Sequence, residues 1–176
     1  MIQLVQVTKS TDLNVDLKQT YEEAFPPDER REWNHWIQML GDVRFCLNEV
    51  YNEERFIGFI SVWDLDQFRF IEHFAIRDTE RSKGFGSRIL EQLLAQKSSP
   101  VILEVEEPFS EIARKRIAFY ERMGFVVSGG EYFQPPYSAG KNSVKLLLMS
   151  YPGAIDPTDF AGVKSRIHSR VYGQNQ

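Results

Sequence analysis

Arg81-Ser82-Lys83-Gly84-Phe85-Gly86 is the stretch of this 176-residue sequence that most invites a ligand. Two glycines one residue apart remove the Cβ atoms that would hold an anion away from backbone N–H groups. A helix starting there leaves such groups unpaired, with a partial positive charge that attracts phosphate. Arg81 and Lys83 add formal positive charge beside them. The plainer alternative is a glycine turn that only reverses the chain. A P-loop would need Gly-Lys-Ser/Thr after a four-residue spacer, whereas Lys83 precedes its glycine. The dinucleotide fingerprint would need a third glycine where Ile89 stands.

Glu72 is the second residue of chemical interest. In Phe68-Arg69-Phe70-Ile71-Glu72-His73-Phe74-Ala75-Ile76 it shares a strand face with Phe70, Phe74 and Ile76. A carboxylate among aromatic rings is costly unless it is paired or working, and burial raises its pKa. The structural alternative, for it and for Glu104 alike, is a carboxylate bonded to Arg69, Arg114 or Arg116. His73 faces the other way, as a packed or hydrogen-bonded ring. Tyr120 fits the apolar face of its own helix, where a core tyrosine with a satisfied hydroxyl is the ordinary reading.

These residues need elements to position them. Ile2, Leu4 and Val7 read as a short strand, and Asp12 as the cap of a helix carrying Leu13, Leu17, Tyr21 and Ala24. Phe25-Pro26-Pro27 ends that helix. A second, from Asp28 or Glu29, shows Trp33, Trp36, Ile37 and Leu40 on one face and stops at Gly41. Strands 44–51, 55–65 and 68–76 follow as an antiparallel meander with turns at 52–54 and 64–67. The glycine loop then opens a helix with Phe85, Ile89, Leu90, Leu93 and Leu94, and Val101–Val105 returns as a strand, completing a βαβ unit. A helix over 110–123, strands 125–127 and 144–149 across a loop at 129–142, and an amphipathic tail helix with Phe160, Val163, Ile167 and Val171 complete the chain. The class is α/β, a mixed sheet of about six to seven strands flanked by helices on both faces. Residues 1–150 form the domain, and 151–176 a tail packed on it or on a partner.

Composition narrows the partners. A net charge of −4 without any run of Lys and Arg argues against nucleic acid and mildly favours a cationic substrate. One cysteine, Cys46, and three scattered histidines argue against a disulfide framework and a dedicated metal site. The N-terminus lacks a signal-like pattern, and no apolar run is long enough to span a bilayer, so a cytoplasmic protein is expected.

Arg81-x-x-Gly84-x-Gly86 after a strand ending Phe74-Ala75-Ile76 resembles motif A of the GNAT N-acetyltransferase superfamily. Phe119-Tyr120-Glu121-Arg122-Met123-Gly124-Phe125 resembles that family's second signature, and the order of elements agrees over about residues 1–150. The resemblance implies acetyl-CoA as acetyl donor, a primary amine as acceptor and direct attack on the thioester. It further implies that Arg81, Ser82, Lys83, Gly84, Phe85, Gly86 and Ser87 cradle the pyrophosphate, while Phe74, Ala75 and Ile76 border the pantetheine arm. It makes Tyr120 the candidate acid for the leaving thiolate, and Glu72 or Glu104 the candidate base. An asparagine common in the family about seven residues before the tyrosine is replaced by Ala113, with Arg114 and Arg116 as candidate substitutes. Specificity in this fold comes from the first helices and the late hairpin, so Phe25, Gln134 and Tyr137 are the expected substrate contacts. The acceptor is a small-molecule or peptide amine, and a homodimer is compatible with all of this. A CoA-binding interaction module without turnover is the competing reading, and a nucleotide-binding protein a third.

Overall fold

Every residue from Phe56 to Trp63 is buried, which is the pattern of a strand covered on both faces. In the computed structural model, which describes residues 1–96 and 99–174, that stretch forms the centre of β3 (Arg55–Asp64). Two compact units are distinguished, Met1–Asp64 with Ile71–Ser98, and Leu65–Phe70 with Ser99–Gln176.

In the first unit β1 (Ile2–Val7) runs antiparallel to β2 (Phe45–Asn52), and β2 antiparallel to β3; β4 (Arg69–Ile76), which belongs to this unit from Ile71 on, follows β3 in strand order. Glu53, at φ 59°, makes the tight turn between β2 and β3. The helices are α1 (Leu17–Ala24), α2 (Trp33–Gln38) and α3 (Phe85–Gln96). The core beside β3 is aromatic: Tyr21 stacks on Trp36 with centroids 4.1 Å apart, and His73 meets Tyr21 edge-on at 5.0 Å. Such geometries follow the ring quadrupole.

The first two helices are shorter than their periodicity predicts. Asp12 lies in a separate 3-10 turn, and α1 begins only after Asp16. Pro27–Glu29 likewise forms its own 3-10 turn, and the extended Arg30 (φ −138°) delays α2 until Trp33. Proline at the start of a turn favours such a short helix but does not propagate it.

In the second unit β5 (Val101–Glu106) pairs antiparallel with β8 (Val144–Tyr151), which also carries β6 (Val126–Val127) and β7 (Tyr132–Gln134). Within this unit the Arg69 N–H donates to Pro100 O at 2.8 Å. Helix α4 (Glu111–Arg122) is capped by Ser110, whose Oγ accepts from the Ala113 N–H at 3.0 Å. Helix α5 (Phe160–Arg170) buries Phe160 and Ile167. Strand directions are mixed and helices flank the strands, as the order of elements predicts. Among the described residues there are eight strands rather than six or seven, because β7 lies inside the stretch read as a loop. Three residues are too few to display an alternating pattern.

Candidate active site

The end of β4 is set by a close approach. A Cβ on Gly58 would stand 2.2 Å from Ala75 O, so only glycine fits there, and the β2–β3 register shifts alongside. Arg77 N–H then donates to Ile57 O at 2.9 Å, and Asp78–Glu80 makes one 3-10 turn. Ser82 (φ 64°) and Gly84 (φ 76°) both take the left-handed conformation. That pair of turns leaves residues 81–84 exposed, with α3 anchored behind them by the buried Phe85 ring. Backbone N–H groups from Ser82 through Ser87 donate to no acceptor among the described residues. A run of free donors at a helix start is of the kind that can hold an anion.

The basic side chains of this loop do something other than the sequence suggests. Arg81 folds back, its Nε donating to Ile76 O at 3.0 Å and its guanidinium lying 2.7 Å from Asp78. Lys83 Nζ lies 2.9 Å from one Glu80 oxygen and Arg55 lies 3.2 Å from the other. The Lys83 hydrogen bond, with help from Arg55, holds the Glu80 carboxyl below its ordinary range. Both expected rim charges are thus matched by carboxylates, and the anion-directed donors are backbone.

Glu72 has a sealed environment. Its Oε1 accepts from Arg31 Nε at 2.9 Å, its Oε2 from Trp63 Nε1 at 2.7 Å, and its side chain is 0% exposed. The partner is Arg31, between α1 and α2, rather than Arg69, Arg114 or Arg116. The Tyr21 hydroxyl accepts from the Arg31 N–H at 2.7 Å, and burial, followed by the Glu72 charge, pushes that phenol up. Phe25 packs edge-on against His73 at 4.6 Å, and His73 Nε2 lies 3.1 Å from Glu29 O. Phe74 and Ile76 are half-buried and Ala75 is buried.

In the second unit Glu104 is half-buried and held from two sides. Its Oε1 accepts from the Tyr132 hydroxyl and its Oε2 from Tyr172 at 2.7 Å. Tyr137 OH points to Tyr172 OH at 3.5 Å. Burial, then the charge of Glu104, pushes the Tyr132 phenol well up. Gln134 is buried one strand position along that face from Tyr132. Tyr120 stands apart. Its ring packs on Phe119 at 5.1 Å and Phe125 at 5.6 Å, and its hydroxyl takes no hydrogen-bond partner among the described residues. Burial pushes this phenol up to about 12, against a small opposing pull from Arg116. Arg114 donates to Pro108 O at 3.1 Å and Arg116 to Glu106 at 3.0 Å, so both have local duties.

Tyr132 and Tyr172 are the residues that sequence reasoning missed. Tyr132 was hidden in an apparent loop. Tyr172 follows Val171, the last residue of the amphipathic repeat, which was the available signal that its side chain would be fixed. Among the described residues no group of His, Cys, Asp and Glu is placed to hold a metal ion, and no helix is long and apolar enough to cross a membrane.

Residues 11–125 match the model of the acetyltransferase (GNAT) family. Among solved structures, a protein from Bacteroides thetaiotaomicron assigned as a GNAT-family acetyltransferase is similar at TM-score 0.89 and 34% identity, over 99% of each chain. The ribosomal-protein-S18-alanine N-acetyltransferase from Escherichia coli is similar at TM-score 0.63 and 17% identity, over 91% of this chain and 99% of its own. A GNAT family acetyltransferase from Elizabethkingia anophelis with acetyl-CoA bound is similar at 0.58 and 13%, over 85% and 96%. No curated protein sequence matches.

Proposed function

This chain belongs to the GNAT family of acetyltransferases, and from that premise we propose that it transfers an acetyl group from acetyl-CoA to a primary amine. The observation that carries the reading is the run of unpaired N–H donors from Ser82 to Ser87 at the start of α3. Residues 81–84 are exposed, and Gly84 has nothing within 4 Å of where a Cβ would stand, which leaves space for a pyrophosphate. Bound acetyl-CoA supplies the thioester whose acyl carbon the amine attacks directly.

The chain's own residues then divide the proton work. An alkylamine has a pKa of about 10.4, so a base must take its proton near neutrality. Glu104 is our choice, because it is a half-buried carboxylate whose two oxygens each accept from a phenol. Glu72 is the lesser candidate. An arginine already neutralises it and its side chain is closed to solvent, so its role is to fix Arg31. Tyr120 remains protonated at neutral pH and offers a free hydroxyl. A phenol near 12 is a weaker acid than a thiol at about 8.5, so it serves as a hydrogen-bond donor to the departing sulfur rather than as a full proton donor.

An amine panel incubated with acetyl-CoA and read by release of free CoA thiol tests the proposal. Amine-dependent release is expected. Stabilisation by CoA without turnover of any amine would leave a binding module instead.

A further inference from the structure

The Tyr172 hydroxyl, from beyond the end of the last helix, lies 2.7 Å from Oε2 of Glu104, 68 residues earlier in the chain. The segment that carries it is fixed by several independent contacts. Phe160, Ile167 and Val171 are buried. A Cβ on Gly130 would stand 2.6 Å from the Phe160 ring, so the helix approaches as closely as glycine permits. Arg166 donates to Leu65 O at 3.2 Å, Lys164 to Glu131 O at 3.4 Å, and the His168 ring lies 5.4 Å from that of Tyr132. After Tyr172 the chain turns at Gly173 (φ 66°), and Gln174 N–H returns to His168 O at 3.0 Å. The segment itself, Phe160 to Tyr172, lies outside residues 11–125, which match the family model.

We propose that Tyr172 is a positioning residue for the Glu104 carboxylate, so that the C-terminal helix completes the proton-accepting group of the reaction; this rests on the reading of Glu104 as the base. With Tyr132 on one oxygen and Tyr172 on the other, the carboxylate is held in one orientation, with both bonds made to its charged form. Bonds of that kind favour ionisation. Losing either bond would therefore disfavour the ionised carboxylate that accepts the proton. Tyr137 lies behind Tyr172, His168 behind Tyr132, and β8 places Leu148 opposite. Arg116 is engaged by Glu106, and Arg69 lies beside Pro100 at the far end of β5.

The test needs no acceptor. Protein labelled with 13C at glutamate carboxyl carbons is titrated by NMR, with the Glu104 signal identified by its loss in Glu104→Gln. In Tyr172→Phe the Glu104 midpoint should rise by about one pH unit, as expected for losing a hydrogen bond to a charged group. An unmoved midpoint overturns the proposal. Lys164→Ala, which loosens the helix without touching the carboxylate, should leave the midpoint in place; an equal rise there would show general loosening and overturn it too. If Tyr172→Phe does not fold, Tyr172→Leu, which also removes the hydroxyl and brings no donor, should likewise raise the midpoint, and failure to do so counts against the proposal. The base reading fails separately. If Glu104→Gln turns over the amine panel with an unchanged pH profile, Glu104 is not the base, and the proposal falls with it whatever the NMR shift.

Discussion

Arg31 Nε lies 2.9 Å from Oε1 of Glu72, in a pair whose side chains are only 10% and 0% exposed. A loop residue that sequence reasoning gave no role thereby fastens the connection between α1 and α2 to the middle of β4. Breaking a buried pair from one side strands a charge, which costs about 3–5 kcal/mol. Arg31→Met should therefore lose about 3 kcal/mol of stability in urea denaturation. Arg31→Met combined with Glu72→Leu should lose clearly less than the two single changes added together. Strict additivity would show that the pair is not coupled.

Acetyl-CoA should raise the melting temperature, whereas ATP should not. A ligand at a hundred times its Kd stabilises by about 2.7 kcal/mol. Gly84→Ala places a side chain at φ 76°, where the space is open but the backbone is strained. We expect a loss of about 1–2 kcal/mol from the left-handed conformation and a smaller shift with acetyl-CoA. Stabilisation by ATP alone would remove the cofactor assignment.

Tyr120→Phe should lower kcat while acetyl-CoA binding, followed by thermal shift, is nearly kept. An unchanged kcat would remove the hydroxyl from the mechanism.

The same residue makes a pH prediction independent of turnover. Its folded pKa of about 12 exceeds the ordinary 10, so above pH 10 the unfolded chain releases this proton while the folded chain keeps it. The group's contribution is complete below pH 10 and is lost as pH rises towards 12, by up to about 1.4 kcal/mol per pH unit. Tyr120→Phe should thus lose stability less steeply than the parent between pH 10 and 12. Parallel curves from chemical denaturation at each pH would contradict the buried phenol.

Gly130→Ala would drive a methyl group into the Phe160 ring, at 2.6–2.8 Å from three of its carbons. Overpacking of this kind costs about 1–3 kcal/mol, and Phe160→Leu in the same chain should recover part of it. Recovery is read as the difference in urea midpoint between the single and the double variant.

Local chemistry made much of this protein legible before any coordinates. Glycines at 84 and 86 beside a helix start, the three-strand meander over 44–76 and the buried spacing Phe85–Ile89–Leu93 are all written within a few residues of where they act, because φ preferences and side-chain periodicity are properties of short segments. The same locality explains the errors. Three-residue β7 has no period to read, and the proline-rich stretch before Trp33 ends one turn without announcing the next. Tertiary structure alone decided which groups meet. Arg31 finds Glu72 across 41 residues and Tyr172 finds Glu104 across 68. Arg81 turns back to Ile76 O, where it reinforces the loop's own backbone. Pairings like these are set by strand register and helix docking, which depend on the packing of the whole core, so no window of sequence carries them.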